Sequence, residues 1–150
     1  MKKQINGKKR YNTILCVIVG LLLILWAFRI DLMNTDNTLT LRLVQHPVSE
    51  LIKLDALDVY PPLYYLILKL FFTVTFISHA SPFIQIIAGR LFNVLLLGIT
   101  LIVMRNILNK LTNRKFSFAF LSLVCLFPMV IWHSMGIRMY VLSALFLHVN

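Results

Sequence analysis

The chain has 150 residues, of which 59% are hydrophobic and only 13% are charged. Soluble domains carry about a quarter charged residues and at most about half apolar ones, so this composition argues against a soluble domain and favours an integral membrane protein. The 15 Lys and Arg residues outnumber the 5 Asp and Glu residues, but their placement argues against a nucleic-acid partner. They cluster before the first apolar run and in the stretch 105–115, as expected for cytoplasmic segments of a membrane protein.

The first apolar run predicts a membrane span over about residues 13–30, with the N-terminus in the cytoplasm. No small-residue cleavage site follows the run, so an uncleaved span is favoured over a signal peptide. Residues 39–57 place many apolar side chains three or four positions apart. This spacing predicts short amphipathic helices that lie on the membrane surface and are broken at Pro47.

A further helix is predicted over residues 63–78, because Pro61-Pro62 can begin a helix but cannot continue one. This helix is short and contains Lys69, which costs about 2.5–3.5 kcal/mol at the centre of a bilayer. We therefore favour a re-entrant or interfacial helix over a short span. That topology also keeps the basic stretch 105–115 in the cytoplasm.

Two more spans are predicted over about residues 85–107 and 116–132, the second broken late by Pro128, and residues 139–150 form an incomplete span. The expected fold is an all-α, multi-pass membrane protein whose extracytoplasmic first loop contains amphipathic juxtamembrane helices. Residues 1–150 then form a single membrane-embedded module in the cell membrane.

The five acidic residues all fall between Asp31 and Asp58, in the predicted outer loop. Asp36 and Asp58 flank the amphipathic segment, and either is a candidate general base that takes a proton from an acceptor hydroxyl. The alternative is a solvated loop in which aspartates form turns and cap helices. No His, Cys or Glu spacing resembles a zinc site and no Gly-rich loop resembles a phosphate cradle, so no metal is assigned.

Two arginines and three tyrosines are the candidate binding residues. Arg90 and Arg138 lie near the ends of apolar runs, where an arginine either holds a lipid phosphate or extends to the interface. Tyr60, Tyr64 and Tyr65 either stack on a sugar ring or belong to an interfacial aromatic belt. Composition alone favours the interfacial role for both groups.

These segments together resemble the membrane glycosyltransferases of the GT-C class, in particular the branch similar to protein O-mannosyltransferases (glycosyltransferase family 39 type). The ordered match covers about residues 10–145. The matching segments are Asp36-Asn37 for an Asp-Glu pair, Asp58-Val59-Tyr60-Pro61-Pro62-Leu63-Tyr64-Tyr65 for an Asp-x-His-Pro-Pro-Leu-Tyr-Tyr motif, Arg90-Leu91 at the start of a span, and residues 133–140 for a Tyr-Ser-Gln-Glu-Ala-Arg-Met-Tyr-like segment. Three positions depart from the family: Asn37 and Gly136 each replace a Glu, and Tyr60 replaces a His.

The resemblance implies a transferase that moves a sugar from a polyprenyl-phosphate donor to an extracytoplasmic acceptor hydroxyl, with inversion at the anomeric carbon. It implies that Asp36 is the base, that Arg90 lies near the lipid phosphate and that Arg138 supports the same pocket. Tyr64 and Tyr65 would shape the donor site.

Family members are longer, so the chain is expected to correspond to their N-terminal part. The three departures keep a second hypothesis open, that of a non-catalytic membrane protein. Such a protein would retain the scaffold for lipid binding or for assembly with another membrane subunit. Membrane lipid and a polyprenyl-phosphate sugar are the expected partners, and no other cofactor is assigned.

Overall fold

The computed structural model describes residues 2–28, 35–57, 62–113 and 115–149, and every regular element within these ranges is a helix. The α-helices are, in chain order, α1 (Lys2–Ala27), α2 (Thr35–Gln45), α3 (Val48–Leu57), α4 (Leu63–Val74), α5 (Pro82–Thr112), α6 (Phe118–Val124), α7 (Pro128–Met135) and α8 (Tyr140–Val149). A short 3₁₀ helix, Ile77–His79, lies between α4 and α5. The predicted all-α class is confirmed for this part of the chain.

Two helices are long and apolar enough to cross a bilayer, by length and composition. They are the segment Arg10–Ala27 of α1, with a mean hydropathy of 1.9, and α5, with a mean hydropathy of 2.2. Only 17% of the α1 segment is buried within the protein. If the protein were soluble, the large apolar side chains of this segment would contact water. Soluble proteins rarely expose apolar surfaces of this extent. The two helices therefore indicate association with a membrane.

Helix α5 is the centre of the fold, and it packs against α1, α2, α4, α6, α7 and α8. It begins with Pro82, whose missing N–H is not needed in the first turn of a helix. It ends where Asn113 adopts a left-handed conformation with φ 53°. Its 31 residues give a length of about 46 Å. The helix extends beyond the predicted span 85–107 at both ends, because hydropathy identifies only its apolar part.

The amphipathic segment predicted before Pro61 forms two helices, α2 and α3, and they are separated at Pro47 as the sequence predicts. The carbonyl of Pro47 accepts the backbone N–H groups of Glu50 (3.0 Å) and Leu51 (2.9 Å), so the proline begins the second helix. Leu41 and Val44 of α2 and Leu51 of α3 are buried, and polar residues such as Arg42 remain exposed. Both helices thus bury one apolar face.

Helix α4 ends at Val74, four residues before the predicted boundary at Ser78. The hydroxyl groups of Thr73 and Thr75 donate to the carbonyls of Lys69 (2.9 Å) and Phe71 (2.6 Å) in its last turns. Phe76 then adopts a left-handed conformation with φ 58°, which a helix cannot continue through. The resulting helix of 12 residues is about 18 Å long, shorter than the roughly 30 Å hydrocarbon core of a bilayer.

Lys69 joins α4 to the C-terminal end of α2. Its ammonium group donates to the carbonyls of Val44 (2.7 Å) and His46 (3.0 Å). The last carbonyls of a helix lack partners within the helix and carry partial negative charge, so a cation is favourable there. Lys69, whose charge is unfavourable in an apolar helix, is therefore stabilised by the backbone carbonyls at the end of α2.

The predicted span 116–132 is interrupted near Pro128, as the sequence predicts, and forms two helices. Helix α6 ends at Val124, and α7 begins with Pro128 in its first turn. Between them the N–H groups of residues 125–127 bond carbonyls three positions earlier, as in a tight turn. The apolar run predicted over 139–150 forms α8.

Candidate functional site

The structure describes the side chains of four of the seven predicted site residues. Tyr64 and Tyr65 lie in the first turn of α4 and are both buried, with their rings edge to face at 5.5 Å. Arg90 lies on α5 and Arg138 in the connection between α7 and α8, and their side chains are 6% and 8% exposed. Asp36 belongs to α2, but its side chain lies outside the described part of the structure, as do residues Asp58 and Tyr60 altogether.

Arg90 reaches the end of the first candidate span. Its Nη1 atom donates to the carbonyl of Ala27, the last residue of α1, at 3.4 Å. The two residues are 63 positions apart in the sequence. A guanidinium group at the negative end of a helix dipole is favourably placed, so Arg90 joins α5 to α1 as well as bringing a positive charge into the protein.

Residues 136–138, here called the 136–138 turn, are held by side chains from two other helices. The amide oxygen of Asn37 accepts the N–H of Ile137 (3.0 Å), and the hydroxyl of Thr40 donates to the carbonyl of the same residue (2.8 Å). Asn93 on α5 donates through Nδ2 to the carbonyl of Gly136 (2.6 Å). Asn37, Thr40 and Asn93, which we call the polar clamp, thereby fix the backbone from which the Arg138 side chain extends.

Tyr64 connects this polar clamp to the aromatic segment of α4. Its hydroxyl donates to Oδ1 of Asn93 at 2.9 Å. Burial raises the pKa of the Tyr64 phenol well above its usual range, a shift that its hydrogen bond to Asn93 opposes and nearby Tyr65 adds to. The phenol therefore remains a neutral donor at physiological pH. Hydrogen bonds therefore connect α4 to α5 and α5 to the 136–138 turn.

Ile137 lies at the centre of the 136–138 turn and is fully buried against Gly89 of α5. A Cβ atom built at Gly89 would be 2.9 Å from Cγ2 and 3.0 Å from Cδ1 of Ile137. Contacts this short force a neighbour to shift, and the β-branched isoleucine has few rotamers available. The absence of a side chain at position 89 is thus what lets the turn pack on α5.

Gly89→Val is expected to lower the free energy of unfolding by about 2–3 kcal/mol through overpacking against Ile137. Gly98→Val is the matched control, since nothing lies within 4 Å of a Cβ at that position of the same helix. The control should change stability by less than about 0.5 kcal/mol. Thermal unfolding of the purified proteins in detergent measures both. Equal losses at the two positions would contradict the packing of the turn on Gly89.

The described charges around the site are mostly positive. Glu50 is the one carboxylate among the side chains that the structure describes, and it pairs with His46 at 3.1 Å on the protein surface. Among the described residues, no three His, Cys, Asp or Glu side chains lie close enough together to hold a metal ion. Buried guanidinium groups of this kind suit an anionic ligand, because they form charge-assisted, bidentate hydrogen bonds to phosphate.

Sequence reasoning selected the segments that meet here but missed two of the residues that join them. Asn93 follows Arg90 by three residues on α5, and Thr40 follows Asn37 by three residues on α2. Side chains three positions apart on a helix share a face. Asn93 could have been found as a polar residue one turn after Arg90 within an otherwise apolar run, whereas Thr40 lies in a polar part of α2 that gives no such signal.

The described part of the chain thus defines an all-helical protein with two candidate membrane-spanning helices and a buried polar site between α2, α4, α5 and the 136–138 turn. Comparisons of the chain with protein-family models, with curated proteins and with solved structures give no significant match.

Proposed function

We propose that this chain is a multi-pass membrane glycosyltransferase-like protein that takes a sugar from a polyprenyl-phosphate donor and transfers it to an extracytoplasmic acceptor hydroxyl. One observation carries the proposal. Described residues from three of the four segments that resemble the glycosyltransferase motifs, although spread over a hundred residues, are joined by hydrogen bonds directly or through Asn93 of α5, and Arg90 of the fourth segment lies on the same helix. Asn37 bonds the 136–138 turn across 100 positions, and Tyr64 reaches the same turn through Asn93, one helical turn after Arg90.

The donor's phosphate is the group that Arg90 and Arg138 would bind. Negative charge accumulates on the lipid phosphate as the bond from the anomeric carbon to the phosphate oxygen breaks. Guanidinium groups that are already buried and held in place stabilise this charge without reorganisation during the reaction. The bond from Arg90 to Ala27 and the polar clamp beneath Arg138 support such preorganisation.

Asp36 is the proposed base. It directly precedes Asn37, whose side chain is bonded to the backbone of Ile137. In the proposed step the Asp36 carboxylate takes the proton of the acceptor hydroxyl as the hydroxyl oxygen attacks the anomeric carbon. The polyprenyl phosphate leaves with the electron pair of the broken bond, and the configuration of the sugar inverts. Asp58 and Tyr60 stay proposals from the motif.

The proposed topology places the N-terminus and the basic stretch 105–115 in the cytoplasm, with residues 31–88 and 133–138 on the outer side. Two observations on α4 support a helix that does not cross the bilayer. It is shorter than a bilayer core, and its lysine is bonded to backbone carbonyls at the end of α2. The short length and the bonded lysine both suit a helix that lies on the extracytoplasmic side of the membrane-spanning helices.

A second candidate function is that of a non-catalytic membrane protein that retains this scaffold for lipid binding or subunit assembly. The position of Asn37 favours it. This residue stands where the resembling family has a Glu, and its amide oxygen accepts a backbone N–H of the 136–138 turn. The side chain at this position is therefore engaged in holding the fold. A scaffold of this kind would bind polyprenyl phosphate but would not release the sugar from a polyprenyl-phosphate sugar.

Binding of polyprenyl phosphate to the purified full-length chain in detergent tests the shared part of both functions. Arg90→Gln and Arg138→Gln should each weaken binding about 10- to 30-fold, the effect of losing a charge-assisted hydrogen bond. Arg42→Gln is the matched control, because Arg42 is exposed on α2. Arg90→Lys keeps the charge without the planar fork and should lie between wild type and Arg90→Gln. Equal affinities for all these variants would contradict the proposed phosphate contacts.

A further inference from the structure

A polar cavity lies at the C-terminal end of α4, apart from the polar clamp. It has a volume of about 170 Å³ and opens between the C-terminal end of α2, the end of α4, the 3₁₀ helix and the start of α5. Lys69, His79, Gln45 and Gln85 supply polar groups to its lining, and Phe72 forms part of an apolar wall. The described lining residues include Lys69 and His79, and none of the described lining residues is a carboxylate.

The cavity is held in shape by buried hydrogen bonds. Gln85 is 4% exposed, and its amide nitrogen lies within hydrogen-bond distance of the carbonyls of Ile77 (3.3 Å), Ser78 (2.9 Å) and Ala80 (3.1 Å). These bonds fix the 3₁₀ helix that presents His79. An ammonium group has three N–H donors, and Lys69 uses two of them on α2 carbonyls. Among the described residues the third donor has no recorded acceptor, so it can serve an anion in the cavity.

Exposed apolar side chains are close in sequence to the residues that line the cavity. Leu70 and Val74 on α4, and Phe83 and Ile84 at the start of α5, are all about half exposed or more. Phe76 is 87% exposed and adopts its left-handed conformation at a cost of about 1–2 kcal/mol, since its Cβ crowds the following carbonyl. A strained, exposed phenylalanine beside a candidate membrane span suits insertion into lipid rather than contact with water.

We propose that this cavity binds the phosphate of an anionic membrane phospholipid, with Lys69 and His79 facing the headgroup and the acyl chains lying against Phe76 and its apolar neighbours. A phospholipid matches both halves of the surface, because it joins a negative phosphate to long apolar chains. The location of the cavity at the start of α5, a candidate span, brings it to the depth of lipid headgroups. The site is independent of the proposed transferase function.

The test is phosphatidylglycerol binding to the purified full-length chain in detergent, measured by native mass spectrometry. Lys69→Met should raise the dissociation constant at least about 10-fold, and His79→Gln about threefold. Lys110→Met, an exposed lysine in the last turn of α5, should stay within about twofold of wild type. Wild-type affinity in both cavity variants would overturn the proposal.

Two further arms separate lipid binding from folding and from binding of a free anion. Lys69 also bonds the end of α2, so Phe76→Gly serves as a second variant. Glycine tolerates the left-handed conformation, so this change should leave thermal stability equal or higher while it weakens phosphatidylglycerol binding about threefold or more through lost apolar contact. Phosphatidylcholine, which has no net charge, should bind more weakly than phosphatidylglycerol. Displacement of the lipid by an equal concentration of inorganic phosphate, or unchanged binding by Phe76→Gly, would overturn the assignment to a phospholipid.

Discussion

Asn93→Ala is expected to lower the free energy of unfolding by about 3–4 kcal/mol, the largest loss among the stability changes predicted for this chain. Asn93 is fully buried and bonds both the hydroxyl of Tyr64 and the carbonyl of Gly136. Alanine removes both bonds, so the buried Tyr64 hydroxyl and the partly buried Gly136 carbonyl lose this partner, at about 1–3 kcal/mol each. Denaturant titration of the purified protein in detergent, followed by circular dichroism, measures the loss.

The matched control is Asn106→Ala, an exposed asparagine on the same helix, which should change stability by less than about 0.5 kcal/mol. Tyr64→Phe removes one bond only and should cost about 1–2 kcal/mol. In the Asn93→Ala background, Tyr64→Phe should lower the free energy of unfolding by less than it does in the wild-type protein. The expected coupling energy between the two substitutions is about 1 kcal/mol. Equal losses at positions 93 and 106 would show that Asn93 does not hold the 136–138 turn, and strictly additive changes would contradict the bond between Tyr64 and Asn93.

The helical class and most helix positions follow from the sequence, but several boundaries do not. The amphipathic helices around Pro47 and the helix that follows Pro62 were predictable, because proline fixes where each can begin. The length of α5 was not, since its polar last turns are helical although hydropathy excludes them. Residues such as Asn, Lys and Arg tolerate a helix at little cost, and hydropathy does not report that tolerance.

The end of α4 and the exact start of the break within the 116–132 segment depend on features that an apolar pattern cannot encode. Threonine hydroxyls bond backbone carbonyls in the last turns of α4, and Phe76 adopts an uncommon conformation for a bulky residue. The break between α6 and α7 begins at Cys125, ahead of Pro128, which forms the first turn of the next helix. In each case local hydrogen bonding ends a helix inside an apolar run.

The site was predictable as a set of segments and not as a set of contacts. Arg90, Tyr64 and the 136–138 turn were selected from the resemblance, and the structure brings Tyr64 and the turn together through Asn93. Asn37 appeared in the sequence only as a missing carboxylate. Its bond to Ile137, across 100 positions, arises from packing of α2 beside the turn, which no local pattern specifies. Likewise, the role of Lys69 became visible only with the end of α2 beside it.

Asp36→Asn is expected to reduce release of sugar from the donor by about 10²- to 10⁴-fold, the contribution of a positioned general base. Asparagine has nearly the same shape as aspartate but cannot accept the proton of an attacking hydroxyl at neutral pH. Binding of polyprenyl phosphate should stay within about threefold of wild type, since that affinity depends on the arginines. The substitution thereby separates catalysis from donor binding. Donor binding alone is measured by the experiment with the Arg90 and Arg138 variants.

The most direct test of the account is the release of radiolabelled sugar from polyprenyl-phosphate hexoses, with water or an added alcohol as the acceptor hydroxyl, by the full-length chain in lipid nanodiscs. We expect turnover by wild type above a protein-free control, loss of turnover in Asp36→Asn, and wild-type turnover in Glu50→Gln, whose carboxylate pairs with His46 on the surface. Circular dichroism should show the same helical content for all three proteins. Absence of turnover by wild type, or equal turnover by wild type and Asp36→Asn, would contradict the proposal that this chain is a transferase with Asp36 as its base.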